Sequence, residues 1–434
     1  MKQILLGAIL LMIMSIDTYG EVLDRNKENN TTVLSPDQIK VKTVRNVLGM
    51  NNPLEHTTGQ LRTGYITHKE DGSKRNSGYA LGGHYHLDTK RWNGLKVGLS
   101  AYTVLNLGVN QNPLNVNPDF FDADGNSFIQ LTEAYLDGKW GNTEIKLGRQ
   151  LLDTPHADSD DIRMIPNYFE AYTLRNNDIE GLTLSAGLIT KMAGWENGVD
   201  AAKFVKVSET LGAGGGMNGI AYASAIYEGI NDLTLSLWYY HYNNVADVLY
   251  AEAGYVYAFS QERSLTFGLQ YDGSSKTGSA LLGEQDGRTY GMSLEFAAED
   301  IGIHLLTAYN RDGGNTGATG LSLGGGPFFT SMENQTLDAV GSAGSAWMIG
   351  AGYHFDVIGI NGLVAGIAYG NFQARDSGLY ESHETDTVFE YAWSDKLSLT
   401  AAFASVRFDA GKDGDNTALK NFKQFRFIVN YNFN

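Results

Sequence analysis

Between Leu147 and Tyr172 the chain reads LGRQLLDTPHADSDDIRMIPNYFEAY. It opens and closes as alternating strand, and the stretch between is acidic and bracketed by Pro155 and Pro166. Arg149, Asp153, Asp158, Asp160, Asp161 and Arg163 fall here together. Opposed charges across a narrow, partly desolvated opening set up a transverse field that orders dipolar solutes and selects by sign. The alternative is that these acids are solvated, or pair with Arg149 and Arg163 to hold a loop's shape. His156, Asp158 and Ser159 are the residue types of a hydrolytic triad, but their closeness in sequence argues against the convergent geometry such a triad needs.

Three further groups could bind ions. His84 and His86 lie two apart in a strand and face the same way, with no third ligand in view. Asp122-Ala-Asp-Gly-Asn126 with Glu133 has the first, third, fifth and twelfth residues of a calcium loop, but its glycine sits at the fourth position and Glu133 falls in a strand. Asp413-Gly-Asp-Asn416 is a weaker version. No metal or cofactor is expected. The glycine runs Gly212 to Gly216 and Gly324 to Gly326 lack the Lys-Ser/Thr tail of a phosphate loop and read as flexible surface segments.

Strands must position these residues. Leu265, Phe267, Leu269 and Tyr271 alternate with Thr266, Gly268 and Gln270. Leu95, Val97, Leu99 and Ala101 alternate with Lys96, Gly98 and Ser100, and the pattern recurs from Tyr290 to Phe296 and from Phe425 to Phe433. Alternation alone would suit a soluble sandwich. The connections separate the two cases: tight turns such as Gly141-Asn142 and Ala298 to Asp300 take turns with wide loops such as Leu107 to Ser127, Leu151 to Asn167 and Arg311 to Ser345. That is the plan of a bacterial outer-membrane barrel. The segments number roughly eighteen, an even count, each about ten residues long as a tilted crossing requires. The fold class expected is all-β, a transmembrane antiparallel β-barrel of about 18 strands, closed because lipid cannot satisfy an edge. Trp140, Trp195, Trp238, Tyr239, Tyr240, Tyr242, Tyr255, Tyr257, Phe259, Trp347, Tyr391 and Trp393 read as aromatic girdles at strand ends.

The ends and the composition agree. Lys2, the apolar run Ile4 to Met14 and Thr18-Tyr19-Gly20 read as a signal peptide, 1–20. Residues 21–58 read as a periplasmic leader, with a short helix started by Ser35 and Pro36 and carrying Val41, Val44 and Leu48 on one face. The barrel is expected over 59–434. The chain has no cysteine, so it closes without disulfides. A net charge of −17 argues against nucleic acid or anionic-lipid binding.

Gly59-Gln60-Leu61-Arg62 opens the first strand; Gly148-Arg149-Gln150 ends the fifth; Pro155, Asp161-Ile162-Arg163, Pro166 and Phe169 follow. This set resembles the OprD-like outer-membrane porins over most of the chain. The resemblance implies an eighteen-stranded channel whose third external loop enters the lumen, passing small solutes, often carboxylate-bearing, along a row of basic side chains. It implies no chemical step, so no enzyme is expected. Two features depart from that pattern. Arg62, Lys96, Lys146, Lys191 and Arg426 have inward phase, but so do Glu133, Asp137, Glu144, Glu252, Glu295 and Glu390. The chain also ends Phe433-Asn434 rather than on an aromatic.

The expected function is passive diffusion of small hydrophilic solutes across the bacterial outer membrane. The constriction would be Arg149, Asp153, Asp158, Asp160, Asp161 and Arg163, and the lumen wall Arg62, Lys96, Glu133, Lys146, Lys191 and Arg426. The alternatives are a non-selective or weakly cation-preferring porin and, more distantly, a barrel enzyme or adhesin. Expected partners are outer-membrane lipid and small-molecule solutes, with the chain as monomer or homotrimer.

Overall fold

A computed structural model describes residues 54–109, 116–412 and 417–434. The expected signal, the leader with its helix as far as Pro53, and the run Asp413 to Asn416 lie outside them. In chain order the strands are β1 (Leu54–Glu70), β2 (Asn76–Thr89), β3 (Leu95–Asn106), β4 (Phe128–Trp140), β5 (Thr143–Gln150), β6 (Asp153–Thr154), β7 (Ala157–Asp158), β8 (Tyr168–Ile179), β9 (Leu182–Ala193), β10 (Val205–Lys206) and β11 (Ile220–Ile230). They continue as β12 (Leu233–Tyr242), β13 (Ala246–Ala258), β14 (Arg263–Lys276), β15 (Arg288–Ala298), β16 (Ile303–Asp312), β17 (Gly344–His354), β18 (Leu363–Ala374), β19 (Glu381–Ser394), β20 (Leu397–Ala410) and β21 (Phe422–Phe433). The first strand begins at Leu54, earlier than the expected Gly59.

β6, β7 and β10 are two-residue pieces within loops. The other eighteen form one antiparallel ring, each paired with its neighbours in sequence, and β1 meets β21 from Gly59↔Phe433 to Glu70↔Phe422 to close it. Their lengths run from eight residues in β5 to seventeen in β1.

Alternation decides which side each residue takes. In β14, Phe267 is 46% exposed and Leu269 62%, while the intervening Gln270 and Asp272 are buried at 5% and 0%. Among the described residues no second layer covers those apolar faces, which suit hydrocarbon, while the polar phase turns into the ring. Gly83 lies in the left-handed region (φ 131) with the Gln60 carbonyl 1.8 Å from where a Cβ would stand, so β1 and β2 approach there only because the side chain is missing.

The wide-loop ends of β14 to β18 carry an outward belt, Tyr271, Tyr290, Tyr309, Trp347 and Tyr369, with Tyr271 and Tyr290 5.2 Å apart and Trp347 and Tyr369 5.6 Å apart. Trp140, Tyr255, Tyr257 and Trp393 form its counterpart near the tight turns, all well exposed. Four expected girdle members belong elsewhere. Trp238, Tyr240 and Tyr242 are on the inward phase of β12 and are buried among Tyr222, Tyr250 and Leu321. Trp195 sits in the 194–219 connection over Arg163, not in a girdle.

Candidate functional site

The segment from Leu151 to Asn167 begins with a small hairpin, β6 against β7. Ser159 closes it by donating from Oγ to Asp153 Oδ1 at 2.6 Å, and Asp158 caps the next turn by accepting from the Asp160 amide at 2.7 Å. Asp160 takes a positive φ of 36° there and is fully buried. Burial raises the Asp158 carboxyl above its ordinary range. These acids first of all shape the loop.

Two arginines fix the far half of the segment. Arg62, on the inward phase of β1, donates to both oxygens of Asp161 at 2.5 and 2.8 Å, to Asn430 Oδ1 at 2.7 Å and to the Arg163 carbonyl at 2.8 Å. The planar fork of guanidinium suits a bidentate grip of this kind. Arg163 donates to Glu333 Oε1 at 2.9 Å, approaches Asp119 at 3.4 Å and lies 4.4 Å from the Trp195 ring. Arg426 of β21 binds the same Glu333. One carboxylate therefore stands between two buried guanidiniums. Burial alone would raise the Glu333 carboxyl, but Arg426 and Arg163 outweigh it and hold it at about 2.

Glu333 belongs to the 313–343 connection, whose turn is held by inward carboxyls of β19. Asp386 accepts from the Glu333 amide at 3.1 Å, and Glu384 accepts from the Gln335 amide at 2.7 Å and the Asn334 side chain at 2.8 Å. At the other end of the 151–167 segment, His156 Nε2 lies 2.6 Å from Asp272 Oδ2 of β14, both side chains fully buried. Ile162 packs against Val388 of β19 and Ala402 of β20.

Several expectations are corrected by this arrangement. Arg149 stands apart from the loop acids: it donates to the Leu131 carbonyl at 2.9 Å and stacks 4.3 Å from the Phe204 ring. His156 pairs with Asp272 rather than Asp158, and Ser159 with Asp153, so the three triad types do not converge. Gly324 to Gly326 is no surface segment. Gly324 is buried with φ 108, the Asp158 carbonyl lying 2.3 Å from where a Cβ would stand, and the Gly325 amide donates to Glu196 at 3.0 Å. Asp122 is used up locally, accepting from the amides of Asp124 and Asn126 at 3.0 and 2.6 Å, while Glu133 turns to His86 Nδ1 at 3.0 Å.

The remaining wall residues are each engaged. Lys96 lies 3.2 Å from Asp88 and 3.7 Å from Asp137, Lys146 4.4 Å over the Tyr135 ring, and Lys191 2.9 Å from Glu170. His86 also approaches Asp88 at 3.4 Å, and His84 stacks on Tyr102 at 5.4 Å, so neither is simply a solvated histidine. Glu381, His383 and Asp409 form the one grouping among the described residues with the spacing of a metal triad, but Arg407 holds Asp409 at 2.7 Å.

Sequence reasoning missed Glu333, Glu384, Asp386 and Asp272. The first lies in a loop 170 residues from Arg163 and carries no local signal. The two β19 acids could have been found, since they share the inward phase of Ser382 and Val388.

The chain is similar to several solved porins. Pseudomonas aeruginosa OccK9 (OpdG) shares 20% identity over 87% of this chain and 97% of its own, with a TM-score of 0.74. P. aeruginosa OpdK, solved with vanillate, shares 19% over 87% and 98% at a TM-score of 0.71. Acinetobacter baumannii OccAB3 shares 14% over 87% and 98% at 0.73. No curated protein matches. The family model for outer membrane porins of the OprD family matches residues 97–434. With its closed ring of eighteen strands, the chain belongs to the OprD family of outer membrane porins: a channel of the bacterial outer membrane for passive passage of small solutes, and not an enzyme.

Proposed function

We propose that the segment from Leu151 to Asn167 crosses the lumen and, with the tip of the 313–343 connection, forms a charged constriction that selects among small hydrophilic solutes. Arg163, Glu333 and Arg426, joined through one carboxylate, carry the reading. The segment also bonds to β1 through Asp161 and to β14 through His156. Around the ring β14 stands ten strands from β1 one way and eight the other, so a segment reaching both is best accommodated inside. Asp161 keeps 42% of its side chain exposed and is open to a passing solute.

The arginines are not a vacant row for carboxylates. Arg62 is taken by Asp161, while Arg163 and Arg426 share Glu333, so an anionic solute would have to displace a bidentate or doubly bonded acid. The chain's net charge of −17 favours a second reading, a weak preference for cations.

The chain has no cysteine, which makes one test direct. Asp161→Cys in a planar bilayer should lose conductance when a charged thiol reagent is added, and reversal potentials in a salt gradient give the sign of preference. A current indifferent to that reagent would place the constriction elsewhere.

A further inference from the structure

Against the chain's net charge of −17, which argues against anionic lipid as a general partner, the outer face of β15 to β18 carries a locally basic cleft that the passage of solutes does not use. Tyr309, Arg311, Asp312, Ser345, Gln373 and Arg375 line a cavity of about 230 Å³ at the wide-loop end of the wall, where the Asp312 carboxylate is taken by the Arg288 amide at 2.7 Å and the Thr289 hydroxyl at 3.1 Å. The register places Tyr309, Arg311, Ser345, Gln373 and Arg375 outside: Arg311 pairs with Ser345 and Ser345 with Gln373, on the same phase as the exposed Tyr309 and Trp347. Arg311 and Arg375 are both exposed, and neither forms an ion pair or side-chain hydrogen bond among the described residues. This contrasts with the interior, where the arginines named above each have a carboxylate or a ring against them.

Depth supplies the second observation. Tyr290, Tyr309 and Trp347 belong to the outward aromatic belt, and belts of this kind sit at headgroup level. Arg311 stands two residues beyond Tyr309, roughly 7 Å along a strand. Arg288 stands two beyond Tyr290 and is engaged by Asp286 at 3.0 Å. The two unpaired guanidiniums therefore lie just outside the hydrocarbon. Glu381, opposite Gln373 in the ladder, is turned toward His383 at 3.9 Å and does not neutralise them.

The geometry points to a site for the phosphate of an outer-leaflet glycolipid, gripped by Arg311 and Arg375 above the tyrosine and tryptophan belt. Guanidinium is the side chain suited to phosphate, and a basic pocket at the membrane surface is how wall proteins hold lipid headgroups. The belt rings would pack on the sugar and the first methylenes.

The test uses the full-length porin in phosphatidylcholine vesicles doped with lipid A, with dephosphorylated lipid A, or with neither, and arginine-directed phenylglyoxal as the probe. Lipid A should shield Arg311 and Arg375 from modification, mapped by mass spectrometry, while leaving Arg263 at the opposite rim unshielded. Dephosphorylated lipid A should not shield them. Arg311→Gln combined with Arg375→Gln should weaken lipid A retention by about tenfold or more, the worth of one charge-assisted hydrogen bond, with the heat-modifiable band on gels reporting that the barrel is folded. Equal shielding by the dephosphorylated lipid, or none by either, overturns the proposal without any variant. Full shielding by inorganic phosphate in detergent at concentrations matching lipid A overturns the lipid assignment and gives the cleft to a soluble phosphate.

Discussion

Replacing Glu333 by Gln keeps the shape of the side chain and removes the charge that two guanidiniums share. Glu333, Arg163 and Arg426 are 4%, 2% and 2% exposed, so water cannot take over the lost role. Removing one partner of a buried pair costs about 3–5 kcal/mol. The pKa route agrees: the fall from 4.5 to about 2 corresponds to about 3 kcal/mol. The loss falls on docking of the 313–343 connection, not on the wall, whose ladder bonds are untouched. The temperature at which the compact gel band disappears should therefore move little. Single-channel conductance in a planar bilayer should rise and become noisier, and the reversal potential should shift toward anions because a negative charge is gone. Acid should mimic the variant in the native protein. The folded pKa of Glu333 is depressed, so its contribution is complete above about 4.5 and lost as pH falls from there through about 2. If the variant's conductance and reversal potential both match the native values, Glu333 does not hold the constriction, and the reasoning fails.

Three other outcomes follow from the same geometry. His156→Ala leaves Asp272 buried without its partner at 2.6 Å, which should cost about 3–5 kcal/mol and expose the 151–167 segment to limited proteolysis at protease levels the native protein resists. Gly324→Ala puts a methyl against the Asp158 carbonyl in a backbone region alanine avoids, so it should loosen the contact between the 151–167 and 313–343 segments and broaden the conductance levels while the wall stays intact. Leu269→Arg places a charge at an outward position that is 62% exposed and should destabilise the folded barrel by about 2–4 kcal/mol, read as a lower unfolding midpoint in urea after reconstitution.

The wall was legible because one physical rule writes it. A strand between lipid and lumen must alternate, and β14 and β21 do so residue by residue, so their faces and partners follow from phase alone. Alternation of wide and tight connections then gave the count. Residue type and phase conflict at Trp238, Tyr240 and Tyr242: as aromatics they suit a girdle, while their even spacing puts them on the inward face of β12. They turn inward because that part of the interior is packed, with Tyr242 donating to the Leu321 carbonyl at 2.9 Å. The cluster was half legible. Arg163 and Asp161 stood out in a charged loop, and Arg62 and Arg426 by their inward phase. Their true partners did not, since Glu333 meets Arg163 through a fold-dependent encounter that leaves no trace in local spacing.

The seam between β1 and β21 has its own consequence. Gln60 and Asn432, hydrogen-bonded at 3.0 Å across it, are separated by 372 residues, so nearly the whole polypeptide must be synthesised before the ring can shut. Until then both margins of the sheet carry unmet amides, which hydrocarbon would penalise along their full length. Biogenesis must therefore shelter a complete but unsealed ribbon, and a ribosome that stalls one hairpin short yields something that cannot reside in the bilayer at all.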